Sequence, residues 1–364
     1  MARFNSSDDI SKEFQRRNLP PNFCHVPFTT LILEPDGTVG SCRVKGTEFS
    51  VGNLRENTIQ EIWNGPKLTE WRRQFLAGKP EFCEKEVRCD GCHLCPDYNS
   101  ILPSTEAVEF QTQGPLRLGL NLNGRCNLEC KMCHVWKMPN SLYDEMGMWP
   151  QIEGLIASVQ EIEFFSGEPF IQKDTYRAID LISQKNPDCL VTFTTNGHWK
   201  LNDHIKSHLD KIKIRNLIVS VDSLIPETYA KIRRKGTLQV VLDNIERLKE
   251  YDQDRIARGL GSLNLIISFT VQKDNWSELG AFRNYEIATG LEVFRSLVYE
   301  PLDCSLLSLS QAEREEILEF YIQNLNKDQW LRSHRIIRPL LDSLSGIGKA
   351  QKLLAVHEKM HCEL

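Results

Sequence analysis

From about residue 115 onward the chain alternates two hydrophobic rhythms. Short runs rich in β-branched and aromatic residues read as strands: Leu116–Leu122, Glu161–Phe165, Leu190–Thr195, Asn216–Val221, Asn264–Val271 and Glu292–Tyr299. Between them apolar residues recur at three- and four-residue steps, which predicts helices such as Lys173–Gln184, Thr237–Tyr251 and Trp276–Ala288. This alternation predicts an α/β fold, because strands can run parallel only when a crossover segment separates them. Six βα units suit a partial (β/α)6 barrel, in which functional groups sit on loops leaving the C-terminal strand ends. After Pro301 only helices are expected, at about 310–325, 328–343 and 346–360.

The first hundred residues follow a different pattern. Residues 1–22 are polar, end in Leu-Pro-Pro-Asn, and read as a flexible arm. Thr29 to Cys42 reads as a hairpin, since Pro35-Asp36-Gly37 is turn chemistry between two strand-like runs. A helix is expected at about 58–77, and residues 100–114 look like a linker. The expected organisation is an arm (1–22), a cysteine-rich hairpin-plus-helix unit (23–100), a core (115–303) and a helical extension (304–364).

Composition narrows the function classes. Net charge is −5, with 44 basic and 49 acidic residues mixed throughout, so no basic face marks a phosphate-tracking surface and nucleic acid is a disfavoured partner. The start lacks the apolar core of a signal peptide and no 18 apolar residues run consecutively, so the expectation is a cytoplasmic protein without a membrane partner. Nine of the twelve cysteines fall before residue 134 in tight clusters, which points to metal or cluster ligation rather than disulfides. Cys189, Cys304 and Cys362 stand alone, as small buried hydrophobes do.

Cys126, Cys130 and Cys133 supply three thiolates from one loop after the first core strand. A [4Fe–4S] cubane held by three thiolates keeps one iron without a protein ligand, and an open coordination position is where metal chemistry occurs. The alternative is a partial zinc knuckle completed by His134. The run Cys-x3-Cys-x2-Cys resembles the signature of the radical S-adenosylmethionine (radical SAM) enzymes, whose open iron is chelated by the methionine moiety of the cofactor. In that family an aromatic residue often precedes the last cysteine; here Met132 offers the same apolar cover for an adenine ring.

Further motifs extend the likeness. Ser166-Gly167-Glu168-Pro169 is similar to the family's Gly-Gly-Glu-Pro motif, which implies that Gly167 and Glu168 accept hydrogen bonds from the cofactor's ammonium. The segment holding Ser220, Asp222 and Arg233 looks like the family stretch that contacts ribose hydroxyls and the cofactor carboxylate. The competing reading for Arg233 is a solvated helix face shared with Arg234 and Lys235. Asn196 and Gln272 end the third and fifth strands and are further candidates, or else caps of the next helices. Cys304, just past the sixth strand, is a candidate hydrogen-atom donor, or else a packed cysteine.

Cys24, Gly37 and Cys42, followed by Val51-Gly-Asn-Leu-Arg-Glu-Asn-Thr-Ile-Gln-Glu-Ile-Trp-Asn64, resemble the opening of the auxiliary-cluster modules called SPASM and twitch, here placed before the core rather than after it. Cys24, Cys42, Cys83, Cys89, Cys92 and Cys95 number six thiolates, too few to ligate two clusters fully, so one auxiliary [4Fe–4S] cluster is the economical reading. The twitch arrangement implies Cys24, Cys42, Cys89 and Cys92, with Cys95 or Cys83 able to replace either of the last two. A four-cysteine zinc site is the alternative.

Together these likenesses imply a radical SAM enzyme of the oxidoreductase or epimerase type. Reductive cleavage of S-adenosylmethionine would give a 5′-deoxyadenosyl radical that takes a hydrogen atom from the substrate. They also imply a flavodoxin- or ferredoxin-type electron donor. A peptide or protein is the leading substrate, a sugar-like or amino-acid small molecule the runner-up, and RNA the third. A non-catalytic iron–sulfur or zinc scaffold is the reading from another class.

Overall fold

The computed structural model describes residues 4, 6–43, 49–84 and 98–361. By its internal contacts the chain forms two compact units. The first comprises residues 1–125, 137–193 and 202–215, the second residues 126–136, 194–201 and 216–364.

The first unit carries β1 (Thr30–Leu33), β2 (Thr38–Gly40), β3 (Gly52–Asn53), β4 (Arg117–Leu120), β5 (Glu161–Phe164) and most of β6 (Leu190–Thr195), in the order β3-β2-β1-β4-β5-β6. β4, β5 and β6 are parallel neighbours, as the alternating pattern requires. Expected and observed strands agree to within a few residues, because each buries Val, Leu, Ile or Phe on the sheet. Leu118, Ile162, Val191 and Phe193 have no exposed surface.

The hairpin is not a separate body. β1 and β2 pair antiparallel around the Pro-Asp-Gly turn, yet β1 also runs parallel to β4 with Thr30 beside Arg117 and Leu33 beside Leu120. The small unit expected at 23–100 therefore extends the core sheet. Gly37 adopts φ +88°, the left-handed conformation the turn demands, and a Cβ there would crowd Asn53 and Leu142 at 3.2 Å.

Two other expectations are corrected. Residues 7–16 of the expected flexible arm form a helix (Ser7–Arg16) with a reciprocal cap between Ser6 and Asp9. It buries Ile10 and Phe14, the latter edge-on to Phe23 at 5.6 Å. The expected linker at 100–114 is packed too: Ile101 and Leu102 are buried, and the Gln113 carbonyl accepts from Trp63 Nε1 at 2.8 Å. The helix expected at 58–77 is two, Ile59–Trp63 and Pro66–Leu76. They part at Gly65-Pro66, where proline has no N–H to continue the ladder.

The second unit carries β7 (Lys213–Ser220, from Asn216 onward), β8 (Leu265–Val271) and β9 (Glu292–Leu297), all parallel in that order. Among the described residues four α-helices follow rather than the expected three: Gln311–Asn324, Lys327–Arg332, His334–Asp342 and Gly346–His361. The middle span divides at Ser333, and the shorter piece before it opens with a reciprocal cap between Asn326 and Gln329. No helix among the described residues is long and apolar enough to cross a membrane.

Candidate functional site

The cysteine loop belongs to the second unit, and its course is fixed by backbone bonds to the segment after β7. Glu129 N–H donates to the Arg234 carbonyl at 3.1 Å and Lys131 N–H to the Ile232 carbonyl at 2.8 Å. Lys131 Nζ pairs with Asp274 at 2.6 Å, and Asp274 also takes Lys231 at 2.6 Å. Cys126 and Cys130 are half-buried and Cys133 is exposed.

Donors surround the sulfurs. Leu128 N–H points at Cys126 Sγ at 3.4 Å, Asn196 Nδ2 lies 3.6 Å from the same sulfur, and Arg233 Nη1 lies 3.8 Å from Cys130 Sγ. Such contacts stabilise thiolate over thiol and tune a metal centre. Burial pushes the Cys130 thiol up to about 11, while the Arg233 guanidinium pulls it down.

Asn196 does not cap the following helix; Asn202 does, accepting from Ile205 N–H. Asn196 instead braces the loop: its Nδ2 donates to Asn127 Oδ1 at 2.8 Å and its Oδ1 takes His198 N–H at 2.7 Å.

Arg233 is buried, against the solvated-face reading, whereas Arg234 and Lys235 are exposed as that reading expects. Its Nε and Nη2 both lie 2.8 Å from Asp222 Oδ2. Desolvation alone would lower the arginine, but Asp222 and the neighbouring Cys130 outweigh it and keep the cation charged. Asp222 is fixed in turn, since its Oδ1 accepts Thr270 N–H at 2.9 Å and its carbonyl accepts Asn275 Nδ2 at 2.6 Å. Asn275 was not a sequence candidate, although an Asn one turn after a strand end is a common brace.

Two buried polar atoms lack partners here. Gln272 is fully buried with Nε2 3.8 Å from Met132 Sδ, and its Oε1 has no hydrogen bond. The Tyr229 hydroxyl likewise has none, and burial raises it well above the usual phenol range. Sequence reasoning passed over Tyr229; its place four residues before Arg233, one helical turn away, was the available signal. Orphaned buried groups of this kind cost stability unless something absent from the chain satisfies them. Ser220 is buried at the end of β7.

In the first unit the Ser166-Gly167-Glu168 turn follows β5 directly. Gly167 adopts φ +60°, and a Cβ there would come within 2.4 Å of both the Arg125 carbonyl and Gln172 Nε2. Glu168 N–H donates to the Arg125 carbonyl at 2.9 Å, and its buried Oε1 accepts Phe170 N–H at 3.2 Å. Gln172 ties the turn down, donating to the carbonyls of Asn123, Arg125 and Ser166 at 2.9–3.1 Å.

Cys304 is closed to solvent, and burial pushes its thiol up. Its exposure is that of a packed side chain. Cys24 precedes β1 and Cys42 follows β2, both half-buried, while Cys83 accepts Trp71 Nε1–H at 3.4 Å. Cys89, Cys92 and Cys95 lie outside the described residues.

A radical SAM superfamily model matches residues 120–279, and an iron–sulfur cluster-binding domain model of the SPASM type matches residues 24–96. Residues 120–279 are thus a radical SAM domain. Its fold is α/β, with parallel strands and a helical C-terminal region, and the SPASM-type match lies ahead of the radical SAM match. This radical SAM chain has as cofactors a [4Fe–4S] cluster with an open iron, S-adenosylmethionine and an auxiliary iron–sulfur cluster.

It is 29% identical to the probable GTP 3′,8-cyclase of Methanocaldococcus jannaschii over 36% of this chain and 44% of that protein. It is 25% identical to the GTP 3′,8-cyclase of Campylobacter curvus over 59% of this chain and 65% of that protein. The match thus spans less than half of the first of these relatives and under two thirds of the second. Among solved structures it is similar to Streptococcus suis SuiB bound to precursor peptide SuiA, at TM-score 0.42 and 15% identity over 57% of this chain and 46% of that one.

The residues present fit the cluster. Among the described residues no three His, Cys, Asp or Glu side chains converge on one metal position. A cubane takes one thiolate per iron, so its ligands need not converge. What it needs is soft sulfur with N–H donors nearby, which the loop offers.

Proposed function

We propose that this enzyme uses the Cys126/Cys130/Cys133 cluster to abstract a hydrogen atom from a peptide or protein substrate. The observation that carries the reading is the buried Asp222–Arg233 pair with its remaining guanidinium edge on Cys130 Sγ. A charged arginine held behind a cysteine sulfur makes sense when that sulfur is anionic, as a cluster ligand is. When bound and reduced, the cluster supplies the electron that splits S-adenosylmethionine into methionine and the 5′-deoxyadenosyl radical.

The chain's own residues position and shield. Cys126, Cys130 and Cys133 hold the cluster, and Arg233 offsets charge at the sulfur rather than clamping the cofactor carboxylate, because Asp222 already occupies two of its nitrogens. Gly167 and Glu168 are assigned to the cofactor's ammonium, Met132 to its adenine, and Ser220 to a ribose hydroxyl. Gln272 Oε1 and the Tyr229 hydroxyl would gain partners from a bound ligand. Cys24 and Cys42, with two of Cys89, Cys92 and Cys95, are assigned to the auxiliary cluster. The SPASM-type domain supports a peptide or protein substrate, since peptides are, with small sugar-like molecules, the usual targets of enzymes carrying such modules.

Anaerobically purified protein is expected to hold about eight irons per chain. Dithionite and S-adenosylmethionine should then release 5′-deoxyadenosine, and alanine at the three loop cysteines should stop release while the fold survives. Adding peptides, amino acids, sugars or GTP in turn identifies the substrate as the class that raises turnover. Fastest turnover with GTP would favour the relatives' substrate over a peptide. Four irons with stoichiometric zinc would reject the auxiliary cluster.

A further inference from the structure

The Glu34–Asn121 pair lies among residues that none of the motifs above uses. Glu34 directly follows β1 and Asn121 directly follows β4, and because Leu33 stands beside Leu120 in register, the two emerge side by side. Asn121 Nδ2 donates to both Glu34 carboxylate oxygens at 3.2 Å. Asn121 is 1% exposed, yet its Oδ1 has no hydrogen-bond partner. The backbone that presents Glu34 is fixed: Gly37 N–H and the Tyr143 hydroxyl both donate to its carbonyl, at 2.9 and 2.7 Å.

We propose that Glu34 and Asn121 form a receptor for a primary ammonium group, with the carboxylate and the unpartnered amide oxygen as its acceptors. An ammonium brings three N–H donors and no acceptor, which matches a site offering acceptors beyond those its own hydrogen bonds use. It also brings a positive charge, and among the described residues the nearby cations are engaged elsewhere: Arg43 pairs with Glu163 at 2.6 Å and Arg55 Nε donates to the Asp36 carbonyl at 3.3 Å, while Asp36 adds a second negative charge. Glu34 is half-buried and so partly reachable. Burial pushes its carboxyl up to about 7, with Asp36 adding to the rise and Asn121 and Arg43 opposing it, the state of an acid waiting for a counter-charge. Tyr143, the other titratable group facing Glu34, has its phenol held protonated by burial.

The inference needs neither cluster nor turnover, so it stands or falls apart from the radical reading. Calorimetric titration of the full-length protein with n-butylammonium is expected to show saturable binding that tightens about tenfold from pH 6 to pH 8 as Glu34 ionises. Glu34→Gln should weaken it at least tenfold and Asn121→Ala several-fold. Glycinamide, an α-amine, serves as the second probe: tighter binding of glycinamide marks a chain N terminus as the natural group, and tighter binding of n-butylammonium a side-chain amine. Tetramethylammonium, which has no N–H, should bind far more weakly. Equal binding of tetramethylammonium, no saturable binding by wild type, or wild-type affinity flat with pH would each overturn the proposal, even if neither variant folds.

Discussion

Two buried arginine–carboxylate pairs sit at opposite ends of their strands. Arg117 opens β4 and Glu161 opens β5, and they are direct neighbours in register. Arg117 Nε and Nη2 reach Glu161 Oε2 at 2.7 and 2.6 Å, while Arg215 and Ser100 take Oε1. The arginines hold the Glu161 carboxyl below its usual range against the pull of burial. Asp222 and Arg233 instead lie beyond the C-terminal end of β7, and there the arginine keeps an edge for Cys130 while the Tyr229 hydroxyl stays unpaired. At the strand starts both carboxylate oxygens are taken up by cations and a hydroxyl, whereas at the strand end the pair also reaches a cysteine sulfur and has an open hydroxyl beside it. In parallel α/β folds stability is built at the first location and function at the second.

The widest separation between the pairs is expected from removing each carboxylate. Glu161→Ala strands two arginines and should cost about 3–5 kcal/mol in chemical unfolding, with deoxyadenosine release per folded molecule unchanged. Asp222→Ala should lower that release about 100-fold, about 2.7 kcal/mol of transition-state stabilisation, in molecules that still bind iron. A loss of turnover per folded Glu161 variant would erase the contrast.

Glu34 provides a third case, a carboxyl whose two oxygens take their hydrogen bonds from an amide. Its folded pKa is raised to about 7, so the native state keeps a proton that the unfolded chain has released. Stability should therefore fall as pH rises from about 4.5 to 7, by up to about 3 kcal/mol, and Glu34→Gln should flatten that slope in urea melts. A wild-type slope of the opposite sign would show a cation engaged at Glu34.

A smaller effect is expected at the turn after β5. Gly167→Ala forces a side chain into a left-handed residue with 2.4 Å to a carbonyl, and a cost of about 2 kcal/mol with weakened S-adenosylmethionine binding should follow. Unchanged stability would mean the turn relaxes freely. The smallest change belongs to Tyr229→Phe. Deleting an unpartnered buried hydroxyl should leave stability level or raise it by about 1 kcal/mol, while cofactor affinity drops several-fold. A stability loss with full affinity would make Tyr229 purely structural.

Much of this was legible beforehand. The six core strands followed from apolar runs long enough to be buried on a sheet, and the motif residues each fell just past a strand end, where chain order alone puts them. The helix at Ser7–Arg16 was missed because its apolar residues, Ile10 and Phe14, are few within a polar stretch, and only the packing of Phe14 on Phe23 shows why it orders. The role of Asn196 was open for a similar reason: a polar residue after a strand can cap or brace, and the choice depends on Asn127, far away in sequence.

By itself the sequence determined what depends on neighbours along the chain: the period of each element, the Pro-Asp-Gly turn, and three thiols on one loop. Only the tertiary structure decided which partners met. It buried Arg233 against Asp222, closed Cys304 from solvent, and laid β1 beside β4 so that Glu34 reached Asn121. The physical reason is that burial and charge pairing depend on contacts between residues remote in the chain, whose energies no local pattern encodes.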